Sequence, residues 1–454
     1  MLLGKVLVRV SPFYKPIKLL LMKRTRSLFL LLISLLFWSC TNELVNDGLF
    51  VPTTNSVGIN HNVPIEKALS ELTTVLKDIN GIAITRNNIQ RQISTISTIK
   101  FSDIGTTTRS IKMINAEELV YIANFKNEAG YAILGADDRL APIIAIVDQG
   151  NLAKERLIMA VKEPNDIYRQ SPILANVINY ALQNVVGNQV VPLDSLMRTF
   201  YGEWQTVLKV GPLVQTKWAQ DYPYNYYKPD CPAGCVAVAL GQLITAEFYK
   251  WKSKSGISFG KIDGEEIDWE SIFSLITDGQ DLLLNVSDEG KAVAWLLRRC
   301  GAAVNMSYTP EASGAYAKNI VPVLNQLGFK GVCMDDYNQD IIMSRIALYD
   351  NSIFISATDI ISGVGHAWLI DGVYKQNREV VKKLSNAVVD RWTEARILLH
   401  INLGWEGYCD GYYYPGIFDL GKGPVLKDKG DYGYYYPNMN YSKINEMCYY
   451  DSYN

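Results

Sequence analysis

Apolar, β-branched and aromatic residues crowd into two runs, Glu118–Phe125 and Tyr131–Gly135, joined by the short link Asn127-Glu128-Ala129-Gly130. A glycine-containing link of that length predicts a β-hairpin. Asp137-Asp138-Arg139 reads as a turn before a further strand, Ile143–Val147. Farther on the period lengthens, and Ile173, Val177, Ile178 and Leu182 share one helical face, which predicts a helix packed on the hairpin. Near Trp204 the chain shifts to aromatic, Pro and Asn residues, through Gly211-Pro212 and 218–227, and a second unit is expected to begin there. From Val236 the apolar positions 236, 239, 240, 243 and 244 recur at helical intervals, continued by Phe248 and Trp251. Two glycine-bounded strands follow: Gly365-His366-Ala367-Trp368-Leu369-Ile370-Asp371-Gly372, and His400-Ile401-Asn402-Leu403 running into Gly404.

The first forty residues have a different pattern. Lys23-Arg24-Thr25-Arg26 precedes an apolar run over 28–38, the arrangement of an export signal. That run has about 11 residues, short of the roughly 18 to 20 a membrane-spanning helix needs. Met22 stands directly before the basic cluster, which predicts that translation starts there. The run ends in Phe37-Trp38-Ser39-Cys40 and resembles a bacterial lipoprotein signal, in which Cys40 would be acylated after cleavage. Ser39 fits that pattern, whereas Phe37 and Trp38 are bulkier than usual, and an ordinary cleaved signal peptide stays open as the alternative. Residues 1–40 are thus expected to be a signal segment and 41–62 a polar tether. The localisation expected is an outer-membrane or cell-surface lipoprotein, or a protein secreted after processing.

A chain of 454 residues, 48% hydrophobic and 20% charged, is globular in balance and long enough for two or three folding units. Its formal net charge of −2 gives no field directed at nucleic acid or an acidic membrane surface, so partners must be inferred from sites. Besides Cys40 there are six cysteines, Cys231, Cys235, Cys300, Cys333, Cys409 and Cys448. They are too sparse for a disulfide-stapled scaffold, and Cys231 is expected to be free or weakly bridged.

Cys235 falls at the start of the predicted helix, where unpaired N–H groups and the positive end of the dipole favour a thiolate. Gly234 before it allows close backbone approach. By itself such a cysteine is as well explained as a small buried hydrophobe or a disulfide partner of Cys231; a nucleophile also needs a base. Of the three histidines, His61 lies in the expected tether region and reads as solvated. His366 opens a strand and can be held firmly as the base. Asn402 can fix an imidazole tautomer. His400 is the second choice as base; its structural reading is a strand histidine bonded to backbone.

Several stretches, in this order, resemble the streptopain family of papain-fold cysteine peptidases: Lys217-Trp218-Ala219-Gln220-Asp221-Tyr222-Pro223-Tyr224-Asn225, Gly234-Cys235-Val236-Ala237, Asn305-Met306-Ser307-Tyr308-Thr309-Pro310 with Ser313-Gly314-Ala315, and Gly365-His366-Ala367. The resemblance covers about 205 to 420, and more weakly a propeptide hairpin within 121–138. It implies an α+β fold: a papain-like two-lobed peptidase domain over 206–454, helical lobe plus antiparallel β lobe, preceded by an α+β inhibitory propeptide over 63–205. It implies that Cys235 attacks, His366 does acid–base work, Asn402 orients it and Gln220 donates to the oxyanion, such a donor being worth about 2.7–4 kcal/mol. Substrates would be proteins or peptides, with the chain's own propeptide as inhibitor, no cofactor, no nucleic acid, and a membrane only through the lipid. Where the family has Trp after the asparagine, this chain has Leu403, with Trp405 two residues on.

Other chemistries are less well supported. Gly256-Ile257-Ser258-Phe259-Gly260 matches a serine-hydrolase pattern but follows a helix end rather than a strand. The three histidines are widely separated and no cysteine pair shows C-x2-C spacing, so no metal site is expected. A catalytically weak surface-binding protein on the same scaffold remains the alternative, with Leu403 and the tyrosine clusters at 412–414 and 434–436 as its features.

Overall fold

The computed structural model describes residues 61–79, 91–104, 118–162, 172–187, 197–253, 259–279, 283, 287–358, 365–384, 387–417 and 443–453. The signal segment, Met22, Cys40, nearly all of the tether and Gly256-Ile257-Ser258 lie outside them. Among the described residues no helix is long and apolar enough to cross a membrane.

Among the described residues twelve strands form one antiparallel sheet: β1 (Ile93–Lys100), β2 (Glu118–Phe125), β3 (Tyr131–Gly135), β4 (Ile143–Val147), β5 (Met197–Tyr201), β6 (Gln205–Val210), β7 (Cys333–Asp335), β8 (Ile353–Thr358), β9 (Gly365–Leu384), β10 (Ala387–Asn402), β11 (Gly411–Tyr413) and β12 (Lys443–Tyr449). The spatial order is β1-β2-β3-β4-β11-β10-β9-β8-β12-β7, with β5 and β6 also paired to β9. The expected hairpin is β2–β3, in register Asn124↔Tyr131. Among the described residues eight α-helices accompany the sheet: α1 (Ile65–Ile79), α2 (Lys154–Lys162), α3 (Pro172–Gly187), α4 (Cys235–Trp251), α5 (Trp269–Thr277), α6 (Asp288–Ala303), α7 (Ile320–Gln326) and α8 (Gln339–Tyr349). This is a mixed α+β architecture.

The sheet does not stop where the composition shifts near residue 205. Strand β4 pairs with β11 through Val147↔Gly411, Ile146↔Tyr412 and Ala145↔Tyr413, so four N-terminal strands continue directly into the later ones. The apolar core follows the same course: Ile133, Val147, Leu157 and Val177 pack in one cluster with Ile355, Trp368, Leu399 and Tyr413. A smaller cluster joins Leu72, Val75, Tyr121 and Ile146 to Tyr374 and Leu398. Helix α1 adds polar ties, for Tyr374 Oη donates to Asp78 at 2.9 Å and Arg396 bonds Glu71.

The third cluster belongs to the helical region around α4. Val236–Ile244 of α4 are buried without a break, so the apolar stripe seen in the sequence widens to the whole circumference of a central helix. Its neighbours have side-chain caps: Asp268 accepts from Ser271 N–H at 3.0 Å before α5, and Ser287 from Gly290 N–H at 3.0 Å before α6. Helix α4 begins after Gly234 with no side-chain cap, so its first amides are left for another acceptor.

Candidate active site

Cys235 is the first residue of that uncapped helix. Gly234 sits at φ +92, in the left-handed region, and a Cβ there would lie 2.6 Å from Met306 Cε and 3.3 Å from Ser313 Cβ. Glycine is therefore required twice, for its conformation and for the close approach of the 306–313 loop. Burial raises the Cys235 thiol, opposed by hydrogen bonds from the backbone of Ala367, Val236 and Cys235 itself. The Ala367 contact brings the residue next to His366 against the sulfur.

His366 is buried on β9, opposite Ala357 of β8. Its Nε2 is 2.9 Å from the Leu403 carbonyl oxygen. A carbonyl only accepts, so in the neutral ring Nε2 carries the hydrogen and Nδ1 is the unprotonated nitrogen. Burial lowers the imidazole to about 4, against the opposing Leu403 bond. With the thiol raised, both groups are uncharged at neutral pH in this state. Trp405 stacks on the ring at 4.6 Å and 28°, and Trp368 lies at 5.9 Å and 23°. Trp405 thus supplies an aromatic cover over His366 that Leu403 cannot.

Gln220 is drawn to the nucleophile through its backbone, its carbonyl accepting from Ala233 N–H at 2.7 Å. Asn402 is buried at the end of β10, and its amide holds the scaffold: Nδ2 donates to Thr216 O at 2.8 Å, while Oδ1 accepts from Gln242 Nε2 at 2.8 Å and Gly404 N–H at 3.1 Å. The acceptor on the His366 ring is the next residue's carbonyl. Gln242, fully buried on α4, completes the brace by accepting from Thr216 Oγ1 and Trp218 N–H, each at 3.0 Å. In the sequence Gln242 reads as a gap in an apolar stripe; a polar residue there, eight positions inside a buried helix, was the available signal.

His400 is buried on β10 and bonds carboxylates rather than backbone. Nδ1 donates to Asp371 Oδ1 at 2.6 Å and Nε2 to Asp148 Oδ2 at 3.0 Å, while Arg91 Nη2 reaches Asp148 Oδ1 at 2.8 Å. Burial alone would lower His400, but the two carboxylates outweigh it and hold it at about 10. Burial likewise opposes ionisation of Asp148, yet His400 and Arg91 bring it down to about 2. His400 is thus a cation at neutral pH and has no free lone pair for use as a base. The cluster sits beside the β4–β11 pairing, where Asp148, just after β4, reaches His400 on β10. Its sequence signal was Asp371, a charge inside an apolar strand.

All six described cysteines, Cys231 included, are free thiols. His61, read as solvated, bonds Asp138 at 2.6 Å, and one ligand atom each of His61, Asp137 and Asp138 lie within 4.8 Å of one another. Asp137 is already held by Arg139 at 2.7 and 2.6 Å, which leaves that group poorly suited to a cation.

Comparison with known proteins gives two family matches. Residues 218–413 match the Peptidase C10 family, a span containing Gln220, Cys235, His366 and Asn402, and residues 82–171 match the Spi protease inhibitor family. The chain is also 21% identical over 388 residues to a thiol protease/hemagglutinin, PrtT, of Porphyromonas gingivalis. That match takes in 77% of this chain and 40% of the relative, so the chain spans well under half of the relative's length. The segment that carries Cys235 and His366 is thus similar to the Peptidase C10, or streptopain, family, and the segment ahead of it to Spi-type inhibitors.

Proposed function

We propose that the chain is a cysteine endopeptidase made as a zymogen, with papain-like lobes meeting at Cys235 and His366. The observation that carries this reading is an uncapped helix N-terminus bearing a cysteine, its sulfur contacted by the residue beside a buried histidine whose Nε2 donates to the Leu403 carbonyl. In the resting state both groups are neutral, as befits an enzyme held latent by its N-terminal unit. When that unit is cleared and substrate enters, Nδ1 takes the thiol proton and the thiolate attacks the peptide carbonyl. The oxyanion accepts from the Cys235 N–H and the Gln220 side-chain amide. Imidazolium Nδ1–H then protonates the leaving amine, and water activated by the same nitrogen releases the acyl group. Export and acylation at Cys40 complete the proposal.

The test is labelling by a thiol-directed epoxide after limited proteolysis of the N-terminal unit. Wild type should be labelled at Cys235 and hydrolyse a peptide amide; Cys235→Ala should do neither. Absence of labelling at every stage of processing would favour the surface-binding alternative. A mature N-terminus without the mass of a lipid would remove the anchor.

A further inference from the structure

Leu403 makes the hydrogen bond that sets the His366 tautomer, and it opens a tightly turned loop. From Gly404 to Gly411 the chain repeatedly enters the left-handed region, at Gly404 (φ 70), Glu406 (φ 55), Gly407 (φ 77) and Cys409 (φ 61). Glu406 and Cys409 carry side chains and are strained there. Backbone bonds inside the loop, Tyr408 N–H to Trp405 O at 2.8 Å and Asp410 N–H to Gly407 O at 3.2 Å, close its turns, and two side chains clamp its ends. Asn402 Oδ1 takes Gly404 N–H on one side. On the other, Asp410 Oδ1 accepts from Leu403 N–H at 2.7 Å across seven residues.

Asp410 is 3% exposed, and its carboxylate makes this one hydrogen bond among the described residues. The charged groups around it are His400 of β10, Asp371 of β9 and Asp148 after β4, with Arg91 behind Asp148. Burial raises it to about 7, so the position is costly for a carboxylate. Asn would offer the same acceptor without that cost.

We propose that Asp410 is a positioning residue of the peptidase site: by holding the Leu403 N–H it fixes the carbonyl that orients His366 and the turn that lays Trp405 over the ring. The inference rests on the Cys235–His366 reading above. It makes no contact with substrate and supplies no proton; its effect runs through Leu403.

Full-length wild type, Asp410→Ala, Asp410→Asn and His366→Ala are processed by the same external endopeptidase. Cys235 alkylation by iodoacetamide is followed against pH by peptide mass spectrometry. Turnover of a peptide amide is normalised to sites titrated with the epoxide. For Asp410→Ala, kcat per titrated site is expected to fall at least about 10-fold with KM within about 2-fold, as for a misaligned base. The pH midpoint of Cys235 alkylation shifts away from that of wild type and toward that of His366→Ala. Asp410→Asn, which keeps an acceptor, recovers kcat to within about 3-fold. If Asp410→Ala does not fold, Asp410→Ser, too short to reach Leu403 N–H, is read in its place. An unchanged alkylation profile and kcat in the Ala or Ser variant overturns the proposal, as does an Asn variant as impaired as they are. If His366→Ala itself alkylates like wild type, the dyad reading fails; if it shifts and Asp410→Ala does not, only the positioning role falls.

Discussion

Asp148→Asn, made in a Cys235→Ala background that lacks the proposed nucleophile, removes one of the two carboxylates on His400 while keeping its shape. His400 is held at about 10, against an ordinary value near 6.5. Because its folded-state pKa is raised, its stabilisation is complete below about 6.5 and is lost as pH climbs through about 10. Between about pH 7.5 and 9 the folded protein holds nearly one extra proton, so stability falls by roughly 1.4 kcal/mol per pH unit, about 2 kcal/mol in all. Asp410, raised to about 7, acts lower: its stabilisation is complete below about 4 and gone above about 7. Thiols raised by burial also weaken the fold in the alkaline window, but equally in both proteins. Removing a partner of a fully buried pair costs about 3–5 kcal/mol; the Asp148 side chain is 24% exposed, so roughly 1–3 kcal/mol is expected at neutral pH. In the variant His400 keeps only Asp371, its pKa drops, and the alkaline loss should shrink to about half or less. Urea midpoints across that pH range read both effects. Curves for the two proteins that stay parallel between about pH 7.5 and 9 would refute the charge assignment.

Other outcomes follow from the same geometry. Gln242→Leu leaves the Trp218 N–H and Thr216 hydroxyl without their buried acceptor, a cost of about 2–4 kcal/mol. A urea midpoint within error of wild type would show that α4 does not depend on this brace. Gly234→Ala must place a methyl 2.6 Å from Met306 Cε at φ +92, so epoxide labelling of Cys235 should slow by about 10-fold or more. Wild-type labelling kinetics would mean that the 306–313 loop yields freely.

The elements that the sequence made legible are those defined by local period. The β2–β3 hairpin and helix α4 are examples, since their residues speak for each other over a few positions. Cys235 and His366 were visible because a helix start and a glycine-bounded strand are local patterns. The β4–β11 pairing was hidden: it joins Val147 to Gly411, and neither strand's alternation names its partner. The role of Leu403 was hidden for another reason. It acts through its carbonyl, which every residue has, so side-chain reading pointed to Asn402 beside it. Asp148, just past the strand Ile143–Val147, had no local pattern to mark it, because its partners, His400 and Arg91, lie far away in the chain.

The strand pairing between β4 and β11 also bears on timing. A protease that severs the connection between the two family units breaks one covalent bond, but the ladder of backbone hydrogen bonds and the apolar cluster spanning both sides stay in place. The nicked chain should therefore migrate as two bands on a denaturing gel while still eluting as one particle. Appearance of the cut and appearance of activity would then be separate events, the second governed by how fast the N-terminal strands peel away.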